Sequence, residues 1–222
     1  MRVATYNIHK CRGLDGRVRV PRLARVMRQV QADLWALQEV MAAQAAELAQ
    51  LLGFHVAFGE ARLHRGAPYG NATLARAPLS AQCIDLTTAG REPRIALRTD
   101  LTLDGIALHV FNLHLGTAHG ERRLQAERLG TSELLHALDV VGPRIVMGDF
   151  NEWTHGAVTR RLRREFPNHT SPRGFPSGLP LLALDHIYWD RPLTGAQPRL
   201  YRAWPAPVAS DHLPLLLDLT GA

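Results

Sequence analysis

The chain has 222 residues, 46% of them hydrophobic, so it can bury a large core in a single domain spanning residues 1–222. Its net charge of +6 and pI near 10.1 are carried almost wholly by arginine, with Lys10 the only lysine, a balance that favours phosphate-bearing or otherwise anionic substrates. Two cysteines, Cys11 and Cys83, are too few for a disulfide scaffold, and no apolar stretch approaches the length of a membrane span, so a soluble, cytoplasmic monomer without a transmembrane segment is expected.

Arg2 to Ile8 alternates β-branched, aromatic and polar residues and predicts a strand with Asn7 at its C-terminal end. His9 and Lys10 open a loop that runs through Gly13 and Gly16. From Pro21 the spacing of Leu23, Val26, Met27 and Val30 is one helix face, with Arg22, Arg25 and Arg28 on the other. Asp33 to Val40 is an apolar run ending in Gln38 and Glu39, a buried strand that finishes in an acid. A helix over Ala42 to Leu52 follows, with Leu48, Leu51 and Leu52 on its apolar side and Gly53 as its stop.

Strands are expected at Phe54 to Phe58, Gly70 to Ala75 and Ala81 to Leu86, with a basic, glycine-containing loop from Arg62 to Tyr69 between the first two. Tyr69, Gly70 and Asn71 could face a substrate, although turn chemistry accounts equally well for the glycine and asparagine. Arg94 to Asp100 and Ile106 to Leu115 predict a hairpin turning at Asp104-Gly105. On its second strand Asn112 and His114 share one face, and Leu113 and Leu115 the other. Glu121 to Leu138 reads as a helix with a less clean apolar face.

The run Arg144 to Met147 then stops at Gly148 and presents Asp149 and Asn151, which in an extended segment point the same way while Phe150 turns to the core. A helical segment carrying Arg160, Arg161, Arg163 and Arg164 leads to a proline- and glycine-rich loop from Pro167 to Pro180, the usual setting for substrate selection. Leu181 to Trp189 is the next strand, containing Asp185. Leu215 to Leu219 is the last, preceded by Asp211 and His212.

Strand ends and neighbouring loops thus offer Asn7, Glu39, His114, Asp149 with Asn151, Asp185, and Asp211 with His212. Oxygen donors dominate, with two imidazoles and no thiol, a mixture that suits Mg²⁺ or Mn²⁺ better than structural zinc and fits phosphoester hydrolysis.

Thr5-Tyr6-Asn7-Ile8-His9, Leu37-Gln38-Glu39-Val40, Asn112-Leu113-His114-Leu115, Gly148-Asp149-Phe150-Asn151, Leu184-Asp185-His186-Ile187 and Ser210-Asp211-His212-Leu213-Pro214 resemble, in order, the motifs of the endonuclease/exonuclease/phosphatase superfamily, the deoxyribonuclease I-like fold. The resemblance implies an α/β (α+β) four-layer α-β-β-α sandwich: two packed mixed sheets flanked by helices, with the site at one edge. It makes Glu39 the principal metal ligand, supported by Asn7 and Asp211, with Mg²⁺ as the cofactor and Mn²⁺ as its substitute. Asp149 becomes the base that aims water, Asn151 a positioning group, His212 a donor to the phosphoryl oxygen oriented by Asp185, and His114 a second imidazole. Arg94 matches a family arginine near the phosphate.

The segments around Asn112 and Asp185 lack the tyrosine of abasic-site endonucleases and the tryptophan of inositol phosphatases. Together with Glu121-Arg122, Gln125, Phe175-Pro176-Ser177 and Trp153 they resemble small bacterial members, some linked by genomic context to phospholipid synthesis, which commonly carry glycine where Cys11 stands. A small or lipid-derived phosphoester is the leading expected substrate, since the compact chain shows no long insertion for gripping a duplex; a closed pocket partly lined by Phe175, Leu179 and Trp153 would favour it, and a long open basic groove would favour nucleic acid. A nuclease acting on DNA or RNA is the alternative, supported by the arginine surplus, and a non-catalytic binding module is a third reading.

Overall fold

The structure is a computed structural model describing residues 1–131, 135–194 and 197–221. β1 (Arg2–Asn7) leads through a 3-10 turn at His9–Cys11 into α1 (Val20–Val30), β2 (Leu34–Met41) and α2 (Ala42–Leu52). β3 (His55–His64), β4 (Ala67–Ala75), β5 (Leu79–Asp85), β6 (Ile95–Leu103) and β7 (Ile106–His114) follow, then α3 (His119–Leu129), β8 (Arg144–Asp149) and α4 (Ala157–Glu165). The rest comprises β9 (Asn168–Thr170), β10 (Asp185–Trp189), β11 (Leu193–Thr194), β12 (Arg199–Leu200), α5 (Ala206–Ala209), β13 (Leu215–Asp218) and β14 (Thr220–Gly221).

Two six-stranded mixed sheets form, in the orders β12-β13-β1-β2-β4-β3 and β5-β6-β7-β8-β10-β9, with β11 and β14 pairing separately. Three apolar layers explain the stacking. Val3, Leu34 and Leu217 of the first sheet meet Val110, Ile145 and Ile187 of the second. On the outer face of the first sheet, Tyr6, Trp35 and Leu74 pack with Leu23 and Met27 of α1 and Leu48 of α2. On the outer face of the second, Phe111, Val146 and Tyr188 pack with Leu129 of α3 and Leu162 of α4. Strand alternation gives each sheet two apolar faces, and only a four-layer α-β-β-α arrangement covers both.

A polar seam interrupts the inter-sheet layer near one edge. Between Leu37 and Val40 the pairing of β2 with β4 shifts register, so Gln38 and Glu39 stand opposite Asn71 in a bulge, and Glu39 takes a left-handed φ of 55°. Asn112 of the opposite sheet fills this irregularity. Its Nδ2 donates to the carbonyls of Leu37 at 3.1 Å and Ala72 at 2.9 Å, and its Oδ1 accepts from Gln38 Nε2 at 2.8 Å.

Several elements differ from expectation. The stretch Arg62 to Tyr69 is mostly strand, because β3 and β4 form a hairpin closed by the left-handed pair Arg65-Gly66. On α2, Leu51 is exposed, and Ala45, Leu48 and Ala49 make the buried face. α3 stops at Leu129, where Gly130 N–H turns back to Glu127 O; the rest of the expected helix falls partly on 132–134, outside the described residues. Its buried face is polar at its N-terminal part and apolar at Ala126 and Leu129: Gln125 accepts from Gly116 N–H and donates to Leu86 O, and Arg122 caps the carbonyls of Gly116 and Thr117. β10 begins at Asp185 rather than Leu181, the preceding residues contributing only an isolated bridge from Leu182 to Phe175. The Asp104-Gly105 hairpin forms as expected, both residues having positive φ.

Asn112→Ala would remove one acceptor from the Gln38 amide, which keeps Thr5 and Ala36, and would take the side-chain donor from the buried carbonyls of Leu37 and Ala72. The expected loss is about 2–3 kcal/mol in urea unfolding; stability equal to that of the unaltered protein would contradict the role assigned to the seam.

Candidate active site

Strand ends from both sheets meet at the seam's outer edge. β1 and β2 run parallel and deliver Asn7 and Glu39; β7 and β8 run parallel, pairing His114 with Asp149; antiparallel β10 pairs Asp185 with Asp149. Gly148 makes the approach of β7 feasible. Its φ is 147°, and a Cβ there would stand 1.9 Å from Leu113 O, so only glycine fits.

Asp149 is the centre of the cluster. Its Oδ2 accepts from Asn7 Nδ2 at 2.9 Å and lies 3.7 Å from His212 Nε2 and 3.8 Å from His114 Nε2. Its Oδ1 accepts from Asn151 N–H at 2.9 Å. β8 ends at Asp149, and Asn151 has φ 50°, so extended alternation does not aim these two side chains together. A turn joins them instead. Asn151 Nδ2 donates to Leu115 O at 3.0 Å, leaving Oδ1 without a hydrogen bond among the described residues.

The two imidazoles are held in opposite states. Burial alone would push His212 down, but the charge and hydrogen bond of Asp185, whose Oδ2 lies 2.8 Å from Nδ1, and then Asp149 and Asp211, raise it to about 10. Burial and the Arg94 guanidinium lower His114 to about 4. Arg94 Nη1 lies 3.0 Å from His114 Nδ1 and 3.2 Å from Nε2, and Nε2 is the ring nitrogen that faces Asp149. Arg94 is also fixed by Glu92 at 2.8 Å. It therefore serves His114 rather than standing free in the site.

Glu39 is lowered to about 2: burial opposes ionisation, but His114, Lys10 and Asn7 together overcome it. With His114 neutral above about pH 4, Lys10 and Asn7 carry this effect at neutral pH. Lys10 Nζ is 2.7 Å from Glu39 Oε2, and Asn7 Nδ2 is 3.2 Å from Oε1. Asn7 Oδ1 accepts from His9 N–H, which fixes the amide's orientation and makes Asn7 the bridge between Glu39 and Asp149.

The remaining expected residues are spread around this centre. Asp211 contacts His9 at 3.6 Å and Ser210 at 3.2 Å. Phe175 packs on His212, ring centroids 4.8 Å apart. Tyr69 lies under Arg62 and Lys10. Trp153 is exposed beside Arg122. Asn71 is buried and donates to the carbonyls of Ile95 and Asn112, which makes it a tie between the sheets rather than a residue facing a substrate.

A model of the Endonuclease/Exonuclease/phosphatase family matches residues 4–212. The chain belongs to this family. It is 32% identical to the uncharacterized protein YbhP of Escherichia coli K12, over 98% of this chain and 95% of that one. Among solved structures, a functionally unknown conserved protein of Enterococcus faecalis superposes with TM-score 0.80 at 23% identity, covering all of both chains. A mannosyl-6-phosphatase of Bacteroides thetaiotaomicron superposes with TM-score 0.79 at 17% identity over 99% of each chain. Truncated Caenorhabditis elegans TDP2 gives 0.74 at 18%, over 99% of this chain and 97% of its own. These similarities establish the deoxyribonuclease I-like fold.

Members of the endonuclease/exonuclease/phosphatase family typically use divalent metals, and the donors here fit a water-rich one. Among the described residues no group of three or more histidine, cysteine, aspartate or glutamate side chains converges as a metal cage. A single ionised, partly exposed carboxylate, Glu39, is what a hard cation that retains most of its waters needs.

Lys10 and Glu92 are the residues that sequence reasoning missed. Lys10 had one signal, its place three residues after the strand-end Asn7; Glu92 had none. The glycine-to-cysteine departure at residue 11 also gains meaning, since His9, Lys10 and Cys11 all have positive φ, and this conformation sets Lys10 against Glu39.

Because its folded value is raised, His212 contributes stability that is full below about pH 6.5 and lost as pH rises towards about 10. Nitrogen-15 spectra of the imidazoles should show His212 charged and His114 neutral at pH 7, with Asp185→Asn moving the His212 titration downward. A neutral His212 at pH 7 would refute the assignment.

Proposed function

We propose that this chain is a divalent-metal-dependent phosphoesterase that hydrolyses a small or lipid-derived phosphoester by in-line attack of water. The observation that carries the proposal is the convergence on Asp149 Oδ2 of Asn7, the charged His212 and the neutral His114. Hydrolysis is the chemistry the family shares, its name joining endonucleases, exonucleases and phosphatases.

Glu39, steadied by Asn7, would hold Mg²⁺, with Mn²⁺ suited to the same oxygens. Such a cation supplies neutralisation of the phosphoryl charge. Asp149 takes a proton from water, and the free Oδ1 of Asn151 orients that water. His212 donates from Nε2 to a phosphoryl oxygen as charge builds there, while Asp185 keeps it charged and Phe175 shields it. His114 presents Nε2–H to a second oxygen. Because both rings are buried and locked, donors aimed at the transition state need no reorganisation when the charge develops.

The substrate preference rests on the wall beside His212, where Phe175 and the exposed Leu179 and Leu181 are apolar. A nuclease is the second reading, supported by the exposed arginines Arg160, Arg163 and Arg164 on α4, just beyond Asn151.

Purified protein with Mg²⁺ should hydrolyse bis(p-nitrophenyl) phosphate and members of a lipid and sugar phosphoester panel. Asp149→Asn and His212→Ala should each lower kcat/KM by about 10²–10⁴-fold. Unchanged hydrolysis in either variant would overturn the mechanism, and cleavage confined to DNA or RNA would overturn the substrate class. Binding without hydrolysis anywhere on the panel would favour a non-catalytic module.

A further inference from the structure

Three loops, one of which packs Phe175 on His212, carry large apolar side chains into solvent. Leu14 and Val18 stand between the 3-10 turn and α1, Leu179 and Leu181 on the loop that begins at Phe175, and Trp204 just before α5; each is more than half exposed. The loops are laced together. Leu14 N–H donates to Val208 O at 3.2 Å, Ser177 N–H to Asp211 O at 2.7 Å, and Ser177 Oγ to Ser210 O at 2.7 Å. A Cβ on Gly178 would lie 3.7 Å from Leu14 Cδ1, so the first two loops touch. Clustered apolar side chains on a braced surface mark an interaction site.

The charge beside them favours one kind of partner. Val18 and Trp204 border a cavity of about 910 Å³ that is also lined by Arg17, Arg19, Arg22 and Arg25. Two carboxylates, Asp15 and Glu47, line it as well, but Asp15 is taken by Arg22 at 2.9 Å. The side chains of Arg17, Arg19 and Arg25 make no hydrogen bond or ion pair among the described residues. A nucleic-acid backbone would engage the arginines and leave the aliphatic side chains Leu14, Val18, Leu179 and Leu181 in water. An anionic bilayer satisfies both, taking apolar side chains and an indole at headgroup depth and arginine at its phosphates.

We propose that this face docks on an anionic phospholipid bilayer, with the wall formed by Phe175 and His212 next to the lipid surface. The proposal goes beyond hydrolysis and rests on the surface alone. Only side chains outside the cluster around Asp149 are involved, so docking and catalysis separate experimentally.

The test is sedimentation of the full-length protein with vesicles of phosphatidylcholine alone and of equal parts phosphatidylcholine and phosphatidylglycerol. Binding is expected only to the anionic vesicles and should fall with added salt. Arg17→Gln and Arg25→Gln should each weaken it about fivefold, and the pair Val18→Ser and Trp204→Ser about tenfold or more. All four should leave hydrolysis of soluble bis(p-nitrophenyl) phosphate unchanged. No binding to anionic vesicles, or binding unaffected by the apolar substitutions, would overturn the proposal. Tighter binding to DNA than to vesicles, lost on arginine substitution alone, would assign the face to nucleic acid. Vesicle binding without hydrolysis of any phosphoester would sink the enzymatic reading and leave the docking intact.

Discussion

Asn112 reaches from one sheet into the other, and the site depends on that bridge. A bulge at Gln38 and Glu39 leaves the Leu37 carbonyl, with that of Ala72 beside it, to the sheet interface, and one amide answers them while accepting from Gln38. Apolar side chains hold two sheets together without fixing their relative position closely; hydrogen bonds in a buried seam do, because a shift of about an ångström breaks several at once. Fixing the sheets places Asn7 and Glu39 of one against Asp149 and His114 of the other. The left-handed conformation of Glu39 belongs to the same device: the bulge turns its carboxylate out of the strand and towards Asn7 and Lys10.

Once assembled, the cluster sets two identical ring systems to different tasks through their neighbours. His212 faces carboxylates and stays charged; His114 faces a guanidinium and stays neutral. Exchanging the neighbours would exchange the states, since burial pushes both rings in the same direction. Arg94 thus acts on the site indirectly, through His114, and Glu92 through Arg94. On the outer side, Glu152 accepts from the backbone and hydroxyl of Thr159 and holds the start of α4 against the turn that presents Asn151.

What could be read from the sequence follows from how local each signal is. The succession of strands and helices, the Asp104-Gly105 hairpin and the opposed faces of Asn112 and Leu113 are encoded in short periodicities and turn residues, whereas the four-layer order was implied by the resemblance of the six ordered motifs. The placement of Asp149 at a strand end was legible for the same reason. Its relation to Asn151 was not, because a left-handed residue replaces alternation there. Lys10 on Glu39 and Arg94 on His114 join residues 29 and 20 positions apart by contacts that no local pattern encodes. Asn71 looked like a residue facing a substrate because a polar residue beside glycine near a strand end carries the same signature whether it meets ligand or opposing sheet.

The proposed hydrolytic centre is a cation-dependent one on Glu39 and Asp149, built by inter-sheet registration. Its most direct test is a Mg²⁺ titration of bis(p-nitrophenyl) phosphate hydrolysis in the unaltered protein and in Glu39→Gln. Hydrolysis should be abolished by chelation and restored by Mg²⁺, and the variant should need at least about tenfold more Mg²⁺ for half-maximal rate. Hydrolysis that survives chelation, or an identical Mg²⁺ requirement in Glu39→Gln, would contradict it.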